Sequence, residues 1–285
     1  MTAAAMNREG KVDMLGTIVY WDSFPKAEAV SNVQAALKEL GLPVEAARSK
    51  RDRDAFIRAV RKAEKEKLVR RLAERPESIV FQFTAEYLAA NRLDYSYEAQ
   101  VRFDKQSGNI TSDSTEVLRK VQELFRYSAQ NFEKRDLTAI VQRLFKRTAD
   151  LLPLRAKGAV YFVPATYQEQ VECIGQFMER FDNRLQTIAV PKGDTPSRRT
   201  VLEAFIADAD SEVKALANEV DELVKALVAE GESEVSTKMK NGRFRKAARI
   251  LARVEVYEQT LGEKLEVVRS GVTLAKSKLE TALVG

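Results

Sequence analysis

Apolar residues near the end of the chain recur in steps of four and three. Leu202, Ile206, Ala209, Val213, Leu216, Val220, Leu223 and Leu227 form one series. Phe244, Ala247, Leu251, Val254, Leu261, Leu265, Val268, Val272, Ala275, Leu279 and Ala282 form another, with Glu258 the one polar exception. This spacing predicts two heptad helices. GESEVS (231–236) leaves room only for a turn between them, so they are expected to fold back as an antiparallel coiled-coil hairpin. The first helix would be roughly 50 Å long and the second roughly 70 Å. The second therefore overshoots the first. Apolar residues also stray outside the seam, at Phe205, Ala217, Val224 and Val228. A stripe that wide covers more than one partner helix, which predicts self-association with Val224, Val228, Val272 and Leu279 between copies.

Charges sharpen the picture at the turn. Glu219, Asp221, Glu222, Glu230, Glu232 and Glu234 crowd the end of the first helix, and Lys238, Lys240, Arg243, Arg245, Lys246, Arg249 and Arg253 mirror them. The plain expectation is that the arms neutralise each other; the sharper one is a basic tip for nucleic acid. Glu258 at a seam position reads as a register device paired with Lys or Arg.

Upstream the periodicity changes. LGTIVYW (15–21) reads as a strand, followed by a helix opened by Pro25 and stopped after Leu40 by Gly41 and Pro43. A second helix is expected from about Asp54 to Ala73. Leu93, Tyr95, Tyr97, Ala99, Val101 and Phe103 then alternate with polar residues, predicting a strand buried on one face. Its partner is expected over 78–88, through Ile79, Phe81 and Phe83, with KQSGNIT (105–111) a tight turn and short return strand. Helices follow over 114–130 and 136–151. GAVYFVP (158–164) is a buried strand, and Tyr167, Val171, Ile174, Met178 and Phe181 mark a helix face. LQTIAVP (185–191) is a closing strand. The expected fold is α+β: a small, mainly antiparallel sheet with flanking helices over residues 1–191, divisible near 105–135 if it holds two subdomains. A linker over 192–199 and the helical hairpin over 200–285 complete it.

Composition then limits the chemistry. The chain has 285 residues, no histidine and one cysteine, Cys173. Ser-His-Asp and Cys-His triads and Cys/His metal sites within one chain are excluded. No apolar run reaches membrane-spanning length and the opening MTAAAMNREGKVDMLG has no signal-peptide core, so a cytoplasmic location with no membrane partner is expected. No cofactor is expected, since the 12 glycines form neither GxGxxG nor GxxxxGK.

The net charge of +5 is unevenly spread, with 12 basic and 5 acidic residues between Arg48 and Arg75. On the expected helix 54–73, Phe56, Val60, Ala63 and Leu72 face inward and the cations outward. A solvated face is the simplest account. Its rival is a nucleic-acid surface made by Arg51, Arg53, Arg58, Arg61, Lys62 and Lys65. Tyr95, Tyr97, Phe103, Phe81 and Phe83, read as one sheet face, could stack bases but are expected to be core. DLTAIVQRLFKRTADLLPLRAKGAVYFVP (136–164), with Arg143, Lys146 and Arg147 outside, also admits a winged-helix reading. Asp94 and Glu98 are the one carboxylate pair on a rigid element, which makes a magnesium enzyme a third, weaker class.

The strand ending in Tyr20-Trp21, the run DAFIRAV (54–60) and KGAVYFVP (157–164) together resemble a group of uncharacterised prokaryotic and viral proteins. The resemblance spans about 150 residues and implies a life near phages or mobile elements, with no activity, cofactor or site residues. The function expected from the sequence is a non-enzymatic, homo-oligomeric scaffold assembling, or binding a protein partner, through its C-terminal helices. DNA or RNA binding through residues 48–75 is the alternative.

Overall fold

Period-two and heptad segments fold into an α+β chain in which every sheet is antiparallel. The computed structural model describes residues 13–63, 68–89, 92–155, 159–230 and 234–281. In chain order the elements are β1 (Met14–Tyr20), β2 (Glu28–Ala29), α1 (Val30–Glu39), α2 (Asp52–Ala63), β3 (Leu68–Glu74), β4 (Ser78–Ala89) and β5 (Arg92–Asp104). Next come β6 (Ile110–Ser112), α3 (Thr115–Gln130), β7 (Asn131–Phe132), α4 (Lys134–Thr148), β8 (Leu152–Pro153) and β9 (Val160–Pro164). Last are α5 (Gln168–Glu179), β10 (Gln186–Pro191), α6 (Thr195–Glu230), α7 (Glu234–Leu261) and α8 (Glu266–Thr281). The chain forms two compact units. One is Ser23–Val141; the other joins the segment ending at Asp22 to the segment beginning at Gln142.

In the unit Ser23–Val141 the sheet order is β3-β4-β5-β6. Phe81, Phe83, Ala99, Val101 and Phe103 line one face and bury against Phe56, Ala59 and Val60 of α2 and Val117 and Val121 of α3. Phe103 stacks on Phe56 with ring centroids 5.0 Å apart. Two expectations are corrected here. The helix expected through Ala73 ends at Ala63, and residues 68–74 are the edge strand β3, paired with β4. Those residues have good helix propensity, but β4 offers an unpaired edge, and tertiary pairing overrides propensity. Leu72, expected on the helix's inner face, is instead a bulged and exposed strand residue. The helix expected from Pro25 begins at Val30, because Glu28 and Ala29 are held extended by pairing with Phe132 and Asn131. Gly41, at φ +66°, follows it as expected.

In the other unit the sheet order is β10-β1-β9-β8. Phe162, Leu152 and Val190 bury against α6 and α7, through Phe205, Val254 and Tyr257 among others. Gly16 lies under Phe162: a Cβ there would come 2.3 Å from the Val163 carbonyl oxygen and 2.5 Å from the Phe162 ring. On the opposite face Tyr161 stacks with Trp21, centroids 5.4 Å apart, and accepts a hydrogen bond from Gln142 of α4.

The C-terminal segment corrects the hairpin. α6 and α7 do run antiparallel: Lys246 pairs with Glu219 at 2.7 Å, Arg253 with Asp208 at 2.6 Å and Arg198 with Glu263 at 2.7 Å. The expected long second helix, however, breaks at Gly262, which takes φ +66° and donates its N–H to the Glu258 carbonyl. α8 then turns back parallel to α6, with Gly271 against Val213 and Lys278 paired with Asp221 at 3.0 Å. The result is an up-down-up three-helix arrangement in place of two helices with an overhang. Glu258 does engage an arginine, accepting from Arg269 at 2.9 Å and from the Leu265 N–H at 2.8 Å, so it clasps the α7–α8 turn. The seam also shifts: Val201 and Phe205 are buried and Ile206 is exposed. Residues 195–199, expected in a linker, are already helix.

Candidate nucleic-acid interface

The cations expected to form a polyanion surface are largely committed within their own unit. Arg58 grips Asp136 with two 2.7 Å hydrogen bonds, and Lys50 reaches the same carboxylate at 2.9 Å. Lys62 pairs with Glu133 at 2.7 Å, and Arg53 with Glu74 at 2.8 Å. Burial alone would raise the Asp136 pKa, but hydrogen bonds from Arg58, Lys50 and the Glu133 N–H outweigh it and hold the carboxyl at about 2. These groups tie α2 to the start of α4. Arg51 and Arg61 remain exposed. Lys65 lies outside the described residues.

The sheet above α2 and α3 supplies a different surface. Phe83 of β4 pairs with Ala99, yet the next β4 residue, Thr84, pairs with Tyr97, so Glu98 is an extra residue on β5. Such a bulge reverses the inward–outward alternation beyond it. Phe103, Val101 and Ala99 therefore stay in the core while Tyr97 and Tyr95 turn to the opposite face, 53% and 51% exposed. This corrects the expectation that the five aromatics share one face: Phe81, Phe83 and Phe103 are core, and the two tyrosines are not.

Cross-strand register defines what surrounds them. Tyr97 lies opposite Thr84, Tyr95 opposite Glu86, Gln100 opposite Gln82, and Gln82 opposite Arg70. Arg102 lies between Val80 and Thr111. The Arg70 guanidinium sits 5.9 Å from the Tyr95 ring centroid, and the Tyr97 hydroxyl donates to Asp113, which also accepts the Gln100 N–H at 2.8 Å. The face thus offers two aromatic rings, two guanidiniums and two primary amides, with Glu86 and Asp113 as counter-charges. Arg70 carries no signal in the sequence because residues 68–74 have helix propensity. The outward turn of the tyrosines carries none because a strict alternation holds no mark of a bulge.

The interface residues expected between copies fall elsewhere. Val272 and Leu279 are buried in the chain's own core with α6 and α7, and α8 itself packs as a further partner on the wide stripe. Val224 is half-buried against the same core, and the Val228 side chain lies outside the described residues.

The same unit has a cleft of about 430 Å³ lined by Lys146, Asp150, Tyr161, Tyr167, Asp208, Glu212, Arg249 and Arg253. Its charges answer one another. Arg253 donates to Asp150 at 2.8 Å and to Asp208 at 2.6 Å, and lies 5.4 Å from the Phe205 ring centroid. Burial works against the charge on Arg253, but the carboxylates, Asp150 first, outweigh it and raise its pKa. Burial and then Asp150 push the Tyr257 phenol well up. Among the described residues no three acidic or thiol side chains gather, so Asp94 and Glu98 have no third such side chain beside them.

A family model described as a family of unknown function, DUF6744, matches residues 14–284, and the chain belongs to that family. No curated protein and no solved structure matches it. Among the described residues no helix is long and apolar enough to cross a membrane.

Proposed function

Since the family brings no activity or ligand with it, we propose from the geometry alone that the chain is a non-catalytic nucleic-acid-binding protein. Its ligand is a single strand laid across the uncovered face of the β3–β6 sheet. The observation that carries this reading is the outward turn of Tyr95 and Tyr97 at the Glu98 bulge, on the face that also carries Arg70, near Tyr95, and Arg102 further along β5. Exposed rings on a sheet stack unpaired bases, at about 1–3 kcal/mol per base, and amides such as Gln82 and Gln100 can bond base edges. Duplex bases are already stacked, so the face favours single strands. Two cations at about 0.7 each give a salt dependence with a slope of only roughly 1.4, because affinity rests on stacking more than on phosphate neutralisation.

Fluorescence anisotropy with labelled single-stranded DNA and RNA and the matching duplexes tests this. Tyr95→Ala and Tyr97→Ala should each weaken single-strand binding about ten-fold, as loss of one stacked base implies. Arg51→Ala and Arg61→Ala should change it little. Failure of the intact chain to bind any single strand at low salt overturns the reading.

A self-associating scaffold is the second reading. Of the residues expected between copies, Val272 and Leu279 are buried within the chain, but α8 exposes Val267 and Leu274 one heptad apart on its outer side. Their replacement by Lys should lower the solution mass if that side joins two copies.

A further inference from the structure

The four sheet edges of the two larger sheets are not treated alike by the sequence. β3 (LVRRLAE) carries two arginines and a glutamate, β6 is three residues long, and β8 is two residues long and contains Pro153. Charge, shortness and proline are the usual ways in which an edge is kept from pairing with another strand. β10 has no charge and is not short, and its one proline, Pro191, is its last residue. It is six residues long, and LQTIAVP (185–191) as a whole contains no charged residue. Its inner side pairs with β1 from Tyr20–Gln186 to Gly16–Val190, and among the described residues no strand pairs with its outer side.

Its faces are open as well. Ile188 points to the same side as its neighbours Ile18 and Phe162, where the helices cover β1 and β9, yet it is 52% exposed. Thr187 and Ala189, on the opposite side, are also exposed. The helical cover therefore reaches Val190 at one end of β10 but stops short of Ile188.

We propose that β10 pairs with the β10 of a second copy of this chain, antiparallel about a two-fold axis, joining two four-stranded sheets into one of eight. Self-pairing is the arrangement that this edge permits and that β3 forbids. In a two-fold antiparallel pair, residues near the centre meet their own copies, so a strand with central charges sets like against like. The centre of β10 sets Ile188 and its neighbours against the same uncharged residues. Pairing also covers the exposed Ile188 side chain. The proposal names a surface for the scaffold reading and is independent of the nucleic-acid reading.

Light scattering on the full chain should give twice the 32.1 kDa chain mass at high concentration. Ile188→Lys and, separately, Thr187→Lys should halve that mass with the circular dichroism spectrum unchanged. Amide exchange of residues 187–189 in the unaltered chain should slow as concentration rises, a readout that stands even if a variant folds poorly. A mass of one chain at every concentration overturns both this proposal and the scaffold reading. A dimer that survives both variants, or that is lost instead on Val267→Lys with Leu274→Lys, overturns this proposal while leaving self-association intact. Exchange at 187–189 that is independent of concentration also overturns it.

Discussion

Each unit is built around a four-stranded antiparallel sheet, and the two sheets differ in how much of them is covered. The β10-β1-β9-β8 sheet buries Phe162 under α6 and α7 on one face, and packs Tyr161 against Trp21 and α4 on the other. The β3–β6 sheet buries Phe81, Phe83 and Phe103 on one face and gives Tyr95 and Tyr97 to solvent on the other. A two-sided core requires apolar residues at successive positions, as in VYFV of β9; a one-sided core allows alternation, as in β5. The difference teaches where to look for function. The doubly covered sheet has used most of its two faces for stability and is open only at its β10 end, whereas the singly covered sheet keeps Tyr95, Tyr97, Gln100 and Arg102 exposed on its second face.

The comparison can be broken hardest in the doubly covered unit. Arg253 has a side chain only 13% exposed and is held between Asp150 and Asp208. Arg253→Ala would leave two poorly solvated carboxylates without their cation, and is expected to cost about 3–5 kcal/mol. Chemical denaturation measures this directly, and a cost below about 1 kcal/mol would show that the cluster is solvated rather than structural. Gly16→Ala follows, at about 1–3 kcal/mol or slightly more, because the added Cβ meets the Val163 backbone as well as the Phe162 ring. A midpoint equal to that of the unaltered chain would mean that β1 and β9 can part without loss.

In the singly covered unit the largest polar effect belongs to Asp136. Its pKa is lowered from 3.8 to about 2, so the folded state binds its proton less readily than the unfolded state. The stabilisation is therefore complete above about pH 4 and is lost as pH falls from there through about 2. Asp136→Asn should cost roughly 1.5–3 kcal/mol at neutral pH, as loss of charged hydrogen bonds does. It should also reduce the acid sensitivity of the melting midpoint between pH 4 and 2. Acid unfolding identical in the variant would contradict the assignment. Glu258 contributes in the same window, since Arg269 and then the Leu265 N–H hold it at about 2, so the variant should retain part of the slope.

Much of this was legible in the chain because covered faces write themselves into periodicity. The alternation of 99–103, the partner strand with Phe81 and Phe83, and the turn at Gly108 all appear as expected. What stayed hidden has physical causes. The break at Gly262 leaves the apolar spacing of Leu261, Leu265, Val268 and Val272 undisturbed, because α7 and α8 both face α6; the glycine was its only signal. β3 carries helix-forming residues whose fate is decided by β4. The Glu98 bulge inserts one residue into an alternating series without altering the letters around it. Since the candidate face depends on that bulge and on Arg70 from β3, the site was less legible than the fold.

The smallest expected effect separates the two sides of β5. Phe103→Ala empties a site packed against Phe56 and Phe125 and should cost about 3–5 kcal/mol. Tyr97→Ala and Tyr95→Ala lie two and four residues beyond Ala99 in the same strand, yet they remove rings that are half exposed. Tyr97 would lose a hydrogen bond to Asp113 and Tyr95 a guanidinium contact with Arg70. Each is expected to cost no more than about 0.5–1 kcal/mol, the value of an exposed polar or cation–π contact. Denaturation of the three variants side by side makes the check. If either tyrosine costs as much as Phe103, the rings are packing groups, and weakened nucleic-acid binding in that variant would report damage to the sheet. If both are near neutral while binding falls about ten-fold, the loss belongs to stacking on the uncovered face.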